Sequence, residues 1–265
     1  MDIVVLIKAV PEAEARLRPN AAGTELDPEG VKFVLAGYDE SAVEQSLLLR
    51  ESAPGSTVRA ISFGPIPRAE EVLRAALALG VDKATSVEAP PGAFVDPVLA
   101  ARALAHAVAK YPCGLLLTGK QASDDESGIV PPAVAEILGL PDFGSVSDLR
   151  WTAGPGRFTF QRPAPGGLEN VEVGPPVALS LQQAWNDPRT ASLPMILKSR
   201  KAPIERIPWT EVSAALGDRA HARTVPTGFL LPAPRTGAKM IEFKTPEEAA
   251  ERLVRLLREE AKVFP

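Results

Sequence analysis

Short apolar runs alternate with amphipathic stretches along roughly the first half of the chain. Runs of consecutive apolar residues are typical of strands buried on both faces, whereas apolar residues three and four apart indicate helices. The runs that predict strands are Ile3–Val10, Thr57–Phe63, Asp82–Val87 and Gly114–Thr118, and the stretch Val31–Leu35 is apolar as well. Helices are predicted over Gly37–Glu51, Arg68–Leu79, Pro97–Tyr111 and Val130–Leu138. The alternation predicts an α/β fold with a largely parallel sheet and helices on both faces.

Residues that favour helix ends support several of these boundaries. Ser41 and Glu44 have the spacing of a capping box near the start of the first helix. Gly80 follows the second helix directly, as expected of a left-handed residue at a helix end. Asp96 precedes Pro97, which is the order of an N-cap residue and a first-turn proline.

After the fourth predicted helix the pattern changes to short alternating segments separated by turns. Gly166 and Gly167 form a two-residue turn signal between two of these segments. We expect antiparallel strands that extend the same sheet. They are predicted at Ser145–Trp151, Arg157–Arg162, Leu168–Val173 and Val177–Leu181.

The region 203–245 contains many prolines and little helical periodicity. So long an irregular segment is uncommon inside a compact domain, and we expect an arm that lies on another subunit. Thr245, Pro246 and Glu248 then combine an N-cap, a first-turn proline and an N3 glutamate, which predict a helix running to about Lys262. We therefore expect an α/β domain over 1–202 and a C-terminal arm and helix over 203–265.

Composition excludes several classes of function. The 265 residues are 45% hydrophobic and 23% charged, with a net charge of −4, which argues against a broad nucleic-acid surface. No apolar run reaches the about 18 residues of a membrane span, and Met1 begins no signal peptide. The single cysteine fits a reducing compartment, so we expect a cytoplasmic protein. Cys113 is the only cysteine, and His106 and His221 are the only histidines. These counts exclude a disulfide framework and a Cys/His zinc cluster, and they give a Ser-His-Asp triad little support.

Three polar loops are predicted at carboxyl ends of strands, where ligands bind in open α/β sheets: Lys8–Ala13, Phe63–Pro65 and Gly119–Gly128. The third, G-K-Q-A-S-D-D-E-S-G, leads into a helix N-terminus, whose N–H groups and dipole favour an anion such as a phosphate. It is not a P-loop, because Gln121 stands where that motif needs Ser or Thr. The acids at Asp124–Glu126 indicate either a metal or acid–base site or a solvated loop, and we favour the solvated loop.

A second candidate surface lies in a turn-rich segment, where Ser192–Leu197 reads S-L-P-M-I-L. The cations Lys198, Arg200 and Lys201 follow it directly. Apolar side chains in a loop beside cations favour a docking element. A loop that packs under its own core would have the same composition, so the residues alone leave both interpretations open.

Three motifs, in chain order, carry a resemblance to one known family. The loop at 119–127 is similar to that family's G-K-Q-A-I-D-D-D. Arg162, Gly166–Glu169 and Pro176 match the signature that precedes the family's P-A-V-V strand. The run N-D-P-R-T-A-S-L-P-M-I-L-K at 186–198 is similar to N-E-P-R-Y-A-T-L-P-N-I-M-K. Over nearly its whole length the chain resembles the beta subunit of an electron-transfer flavoprotein. This resemblance favours the docking interpretation of Ser192–Leu197.

The resemblance implies that the α/β domain over 1–202 is a Rossmann-like, adenine-nucleotide-binding domain. It also implies an electron carrier rather than an enzyme with its own substrate. It implies a heterodimer with an alpha subunit that carries the redox-active FAD, and electron donors such as acyl-CoA dehydrogenases in fatty acid oxidation. This chain would hold a structural AMP and dock dehydrogenases through a loop at about 190–201. The implied nucleotide shell is Leu6, Ala36, Gly37, Tyr38, Asp39, Phe63, Gly119, Lys120, Gln121, Ala122, Ser123, Asp124, Asp125, Glu126, Ser127, Gly128, Ile129 and Val130. The implied docking residues are Leu193, Pro194, Met195, Ile196 and Leu197, with Leu193 central.

The chain departs from the family at Gly128–Val130, where relatives have N-Q-T. Phosphate contacts would therefore come mainly from backbone N–H groups near Ser127–Val130. Electron-bifurcating relatives hold a second FAD in place of AMP and show D-G-D in the acidic loop; the missing glycine at Asp124–Glu126 favours AMP. An ATP-dependent ligase or hydrolase and a stand-alone adenine-nucleotide sensor are the alternatives from other classes.

Overall fold

The computed structural model describes residues 1–24, 26–182, 187–233, 237–238 and 240–263. It divides the chain into two compact units, Met1–Gly228 and Phe229–Pro265. Among the helices of these described ranges, none combines the length and the apolar character that a membrane crossing requires. Asn186, the first residue of the third family motif, lies outside the described residues.

The strands and helices follow one another in the predicted alternation. The strands are β1 (Asp2–Ile7), β2 (Ala9–Pro11), β3 (Phe33–Leu35), β4 (Thr57–Gly64), β5 (Lys83–Glu88), β6 (Leu115–Gly119), β7 (Asp142–Thr152), β8 (Arg157–Ala164), β9 (Gly167–Val173), β10 (Val177–Leu181) and β11 (Glu205–Ile207). The helices are α1 (Gly37–Ser52), α2 (Ile66–Leu79), α3 (Pro97–Val108), α4 (Val130–Leu138), α5 (Leu193–Lys201), α6 (Trp209–Leu216) and α7 (Pro246–Glu259), with a 3-10 turn at Gly217–Arg219.

The described residues form a nine-stranded sheet in the order β11-β5-β4-β1-β6-β10-β7-β8-β9. Neighbouring strands from β11 through β7 are parallel, and the pairs β7–β8 and β8–β9 are antiparallel. A separate antiparallel pair joins β2 to β3. The predicted fold class is therefore confirmed: a largely parallel α/β sheet with an antiparallel extension.

Two apolar clusters cover opposite faces of this sheet. Ile3, Val5 and Ile7 of β1 belong to the cluster that also holds the apolar residues of α1 and α2. Val4 and Leu6 belong to the cluster formed with α3, α4 and α6. Because successive side chains of a strand point to opposite faces, a strand covered on both sides needs an uninterrupted apolar run, and β1 has one.

The order of the strands reverses beside β1. The chain passes from β1 to β4 and β5 on one side, and then through α3 to β6 on the other side. In open parallel sheets such a reversal leaves a crevice beyond the carboxyl ends of the two strands concerned, because the connections leave in opposite directions. Here that position lies beyond Ile7 of β1 and Gly119 of β6.

Three helix-end predictions are confirmed. Gly80 follows α2 in the left-handed region, with a φ of 118°. Asp96 accepts a hydrogen bond from the backbone N–H of Leu99 at 2.8 Å, as an N-cap should. In the second unit, Thr245 accepts from the backbone N–H of Glu248 at 3.3 Å and begins α7.

Other local predictions were wrong. Val177–Leu181 is not antiparallel, because β10 lies between β6 and β7 and is parallel to both. All five of its residues are buried, which fits a central parallel strand better than an antiparallel edge. The proposed capping box at Ser41 is also wrong, since α1 already begins at Gly37 and Ser41 Oγ donates to the Gly37 carbonyl at 3.4 Å.

The first compact unit continues past the expected boundary at residue 202, to Gly228. The short strand β11 adds a parallel edge beside β5, and α6 contributes Val212 to the cluster with α3 and α4. Glu88 Oε2 also accepts a hydrogen bond from the backbone N–H of Trp209 at 3.0 Å. The strand β11 has three residues and the helix α6 has eight, which is too short for a clear periodic pattern in a proline-rich sequence.

The second unit contains α7, an amphipathic helix that ends at Glu259, before the predicted end at about Lys262. Leu253 and Val254 are 47% and 45% exposed. Its packing on a partner subunit stays a prediction.

Candidate functional site

The buried side chain of Asp39 joins the C-terminal ends of β1 and β6. Its Oδ2 accepts a hydrogen bond from the backbone N–H of Lys8 at 2.8 Å, and its Oδ1 accepts one from Gly119 N–H at 3.0 Å. Lys8 follows β1 directly, Gly119 ends β6, and Asp39 lies in the first turn of α1. One side chain therefore fixes two strand ends and a helix start at the crevice where the strand order reverses.

Burial raises the pKa of Asp39 from its ordinary value of 3.8 to about 7, although the two backbone hydrogen bonds and the Lys8 charge favour the carboxylate. Both carboxyl oxygens are already occupied by backbone donors. These contacts position the site; that Asp39 also belongs to the nucleotide shell, as the family resemblance implies, stays a prediction.

Gly119 is required by how closely the start of α1 approaches β6. A Cβ atom at Gly119 would lie 2.5 Å from Asp39 Oδ1, 2.7 Å from Tyr38 Cβ and 2.9 Å from the Tyr38 carbonyl carbon. The Tyr38 carbonyl carbon is part of the backbone and Asp39 Oδ1 belongs to a buried side chain, so neither atom has much freedom to move. The absence of a side chain at Gly119 is what allows Tyr38 and Asp39 to contact the strand end.

Lys8 ties the acidic loop back to β1. Its Nζ lies 2.7 Å from Asp124 Oδ1 and 3.0 Å from Asp125 Oδ2. Burial alone would lower the pKa of Lys8, but these two carboxylates raise it above 10.5, so the ammonium group stays charged. The two acids are exposed yet ion-paired rather than simply solvated. Within the described ranges no group of His, Cys, Asp and Glu side chains could hold a metal ion.

The loop leads into the N-terminus of α4. Glu126 and Gly128 have positive φ angles of 48° and 60°, which turn the backbone toward the helix. The first N–H groups of a helix have no acceptor within the helix, and the two prolines after Val130 carry no N–H. Ile129, the N-cap residue, supplies no side-chain acceptor. The N–H groups that remain at Gly128–Val130 suit an anion that brings its own oxygen atoms.

An apolar wall lies on the α3 and α4 side of the sheet at this edge. Leu6 of β1 is buried in the apolar cluster on that side, and Phe63 of β4 and Val130 of α4 pack against the same cluster. The structure thus brings three residues from distant parts of the chain to one face. A ligand beside the α4 N-terminus would have polar donors at one end and an apolar surface at the other.

The other predicted residues of the nucleotide shell lie around this edge. Ala36 is the buried N-cap of α1, and Gly37 and Tyr38 begin the helix. Lys120 turns toward β10: its N–H donates to the Leu181 carbonyl at 2.9 Å and its Nζ donates to Gln182 Oε1 at 3.1 Å. The intervening loop consists of Gln121, Ala122, Ser123 and Ser127 together with the acids.

The predicted docking residues lie on a helix, not in a loop as expected. Leu193 begins α5 and is 68% exposed, Leu197 is 51% exposed and Ile196 is 36% exposed. Pro194 is exposed as well, and Met195 is partly buried. The helix has signals in its own residues: a serine before the segment, a proline in its first turn and cations in its last turn.

Lys8 is the residue of the site that sequence reasoning missed. The loop that begins at Lys8 was a candidate, but Lys8 itself was not included among the ligand or positioning residues. Its signal is visible in retrospect, because it is the one charged residue in the apolar run Ile3–Val10.

The raised pKa of Asp39 predicts a pH-dependent contribution to stability. The stability that the folded protein gains by holding Asp39 protonated is fully present below about pH 3.8. It is lost as the pH rises through about 7. Relative to Asp39→Asn, the native protein should therefore lose free energy of unfolding between pH 4 and pH 7, and the difference should be level above that range. Urea unfolding of both proteins across this range measures it; a difference that does not change with pH would contradict the assignment.

The close contact at Gly119 predicts that Gly119→Ala lowers the free energy of unfolding by about 1–3 kcal/mol, the usual cost of overpacking. Gly64 is the matched control, because it ends β4 at the same sheet edge and a Cβ there meets nothing within 4 Å. Gly64→Ala should cost less than Gly119→Ala in the same urea titration. Equal costs for both variants would show that the approach of α1 to β6 is not tight.

Comparison with known proteins shows the family of this chain. The family model described as electron transfer flavoprotein domain matches residues 24–212. Electron transfer flavoprotein subunit beta of Bacillus subtilis (strain 168) is 30% identical over 265 residues, which cover 100% of each chain. The human protein of the same name is 32% identical over 209 residues, 78% of this chain and 81% of its own. The chain belongs to the electron transfer flavoprotein family, among the beta subunits.

Proposed function

We propose that this chain is one half of a heterodimeric electron carrier that takes electrons from dehydrogenases, acyl-CoA dehydrogenases among them. Two observations support this proposal: the chain belongs to the family's beta subunits, and the apolar side of α5 is exposed. FAD, held mainly by the alpha subunit, would supply the redox chemistry. This chain would contribute part of the flavin's surroundings, a structural nucleotide site and a docking helix, and no catalytic residue. A cytoplasmic location, suggested by the single cysteine, is part of the same proposal.

AMP is the ligand we propose for the crevice between β1 and β6. The donors present fit its phosphate, since the N–H groups of Gly128–Val130 carry no competing side-chain acceptor at Ile129. Lys8 offsets the charges of Asp124 and Asp125, which would otherwise repel a phosphate. The apolar wall on the α3 and α4 side suits an adenine ring. A nucleotide there would join the loop, α4 and β1, which is a structural role.

A second FAD in the same crevice is the alternative ligand. Its adenylate half has the same ring and a phosphate in the same place, so the donors at Gly128–Val130 suit both molecules. The acidic loop at Asp124–Glu126 lacks the glycine seen in the electron-bifurcating type, and this favours AMP.

The observation that carries the docking proposal is the exposure of Leu193 at the first position of α5. A leucine that is 68% exposed contributes little to the stability of this chain. With Ile196 and Leu197 it forms an apolar patch followed by Lys198, Arg200 and Lys201, all in one helix. A central apolar side chain that enters a partner's pocket, with a polar rim around it, is the usual arrangement of a binding hot spot.

We expect Leu193→Ala to weaken docking by about 2 kcal/mol or more, which is a rise of about 30-fold in the half-saturating concentration. The measurement is the rate of electron transfer from a reduced acyl-CoA dehydrogenase to the heterodimer as the heterodimer concentration is varied. Flavin and nucleotide content should stay at the native level.

Leu168→Ala is the matched control, because Leu168 is also a largely exposed leucine, at 62%, and lies in β9 at the far edge of the sheet. It should leave the half-saturating concentration unchanged. If Leu193→Ala transfers electrons at the native rate at every concentration, α5 is not the docking helix.

A further inference from the structure

Helix α5 has little stabilisation of its own. It is nine residues long, and isolated helices of that length are marginal in water. Its three large aliphatic side chains are exposed rather than buried, and its N-cap, Ser192, makes no capping hydrogen bond through its side chain. Contacts with the rest of the domain must therefore keep α5 in place.

Arg74 of α2 makes such contacts at the C-terminal end of α5. One of its guanidinium nitrogens donates to the Ser199 carbonyl at 2.7 Å and to the Ala202 carbonyl at 3.4 Å. Carbonyl groups in the last turn of a helix have no partner within the helix, so a cation there both fills the acceptors and interacts favourably with the helix dipole.

Arg189 makes the corresponding contacts on the N-terminal side, four residues before Leu193. Its Nε lies 2.8 Å from Glu44 Oε2, and its second terminal nitrogen lies 3.0 Å from Glu44 Oε1, so the pair is bidentate. Its first terminal nitrogen donates to Glu51 Oε1 at 2.8 Å. The backbone N–H of Arg189 donates to Glu44 as well, at 3.0 Å. Side chain and backbone are thus both attached to α1.

These contacts are of the strong kind. The Glu44 side chain is only 8% exposed, so its charge needs a well-placed partner. The planar guanidinium matches a carboxylate with two parallel hydrogen bonds, an arrangement that lysine cannot reproduce. The hydrogen bond from Arg189 also lowers the pKa of Glu51, and the two carboxylates raise the pKa of Arg189.

We propose that Arg189 is a positioning residue for dehydrogenase docking. By attaching the segment before α5 to α1, it keeps Leu193 on the surface in the orientation that a partner's pocket receives. Binding then requires less ordering of the segment, and ordering costs affinity. This inference rests on the proposed docking function of α5 and adds the residue that holds the docking helix ready.

The test uses Arg189→Ala in the intact heterodimer, assayed for electron transfer from a reduced acyl-CoA dehydrogenase. A loosened docking segment should raise the half-saturating concentration by about fivefold or more, because several side chains must be ordered on binding. The maximal rate and the flavin and nucleotide content should stay at the native level. An unchanged half-saturating concentration, or a loss that falls on the maximal rate, would overturn the proposal.

Arg189→Ala leaves a buried carboxylate without its cation, which could unfold the domain. The double variant Glu44→Gln/Arg189→Ala removes that charge and keeps the proposal testable. It should show the same rise in half-saturating concentration as Arg189→Ala. If the double variant restores native docking, Arg189 acts only by neutralising Glu44, and the proposal is wrong.

Two further variants separate this inference from the docking function on which it depends. Arg157→Ala removes a cation that pairs with Glu172 at 3.3 Å at the far edge of the sheet, and it should leave docking unchanged. Leu193→Ala is measured in the same assay. If it weakens docking while Arg189→Ala does not, only the positioning role fails; if neither has an effect, the docking function of α5 fails.

Discussion

The two hydrogen bonds that Asp39 accepts are the constraint on which the candidate nucleotide site depends. They join the chain directly after β1 to the end of β6, where the strand order of the parallel sheet reverses. The approach is possible because residue 119 is a glycine. From this fixed point the acidic loop leaves β6, returns to Lys8 through two ion pairs, and then enters α4. The geometry of the crevice follows from these contacts.

Helix α1 connects this site with the docking helix. Asp39 lies in its first turn at the sheet edge, and Glu44 and Glu51 lie farther along it and hold Arg189. Both candidate sites are therefore attached to one helix, whose apolar side is buried in the same cluster as β1. A carrier that must present a docking surface in a fixed relation to its nucleotide-binding crevice would benefit from such a shared support.

Local patterns predicted the elements better than the contacts between them. The helix Val130–Leu138 has the predicted limits, because prolines in its first turn favour a helix start and Gly139 favours a helix end. The parallel direction of β10 could not be read from its own residues, since an apolar run is the same in either direction. Asp39 and Gly119 are 80 residues apart, and Lys8 and Asp124 are 116 apart. Only the order of the strands in the sheet brings such residues together.

The identity of the bound nucleotide is the most direct test of the central claim, that the crevice between β1 and β6 holds AMP. The heterodimer would be purified with its native ligands, denatured, and the released nucleotides identified and counted by mass analysis. We expect one FAD and one AMP per heterodimer. Two FAD and no AMP would contradict the account and make the crevice a second flavin site.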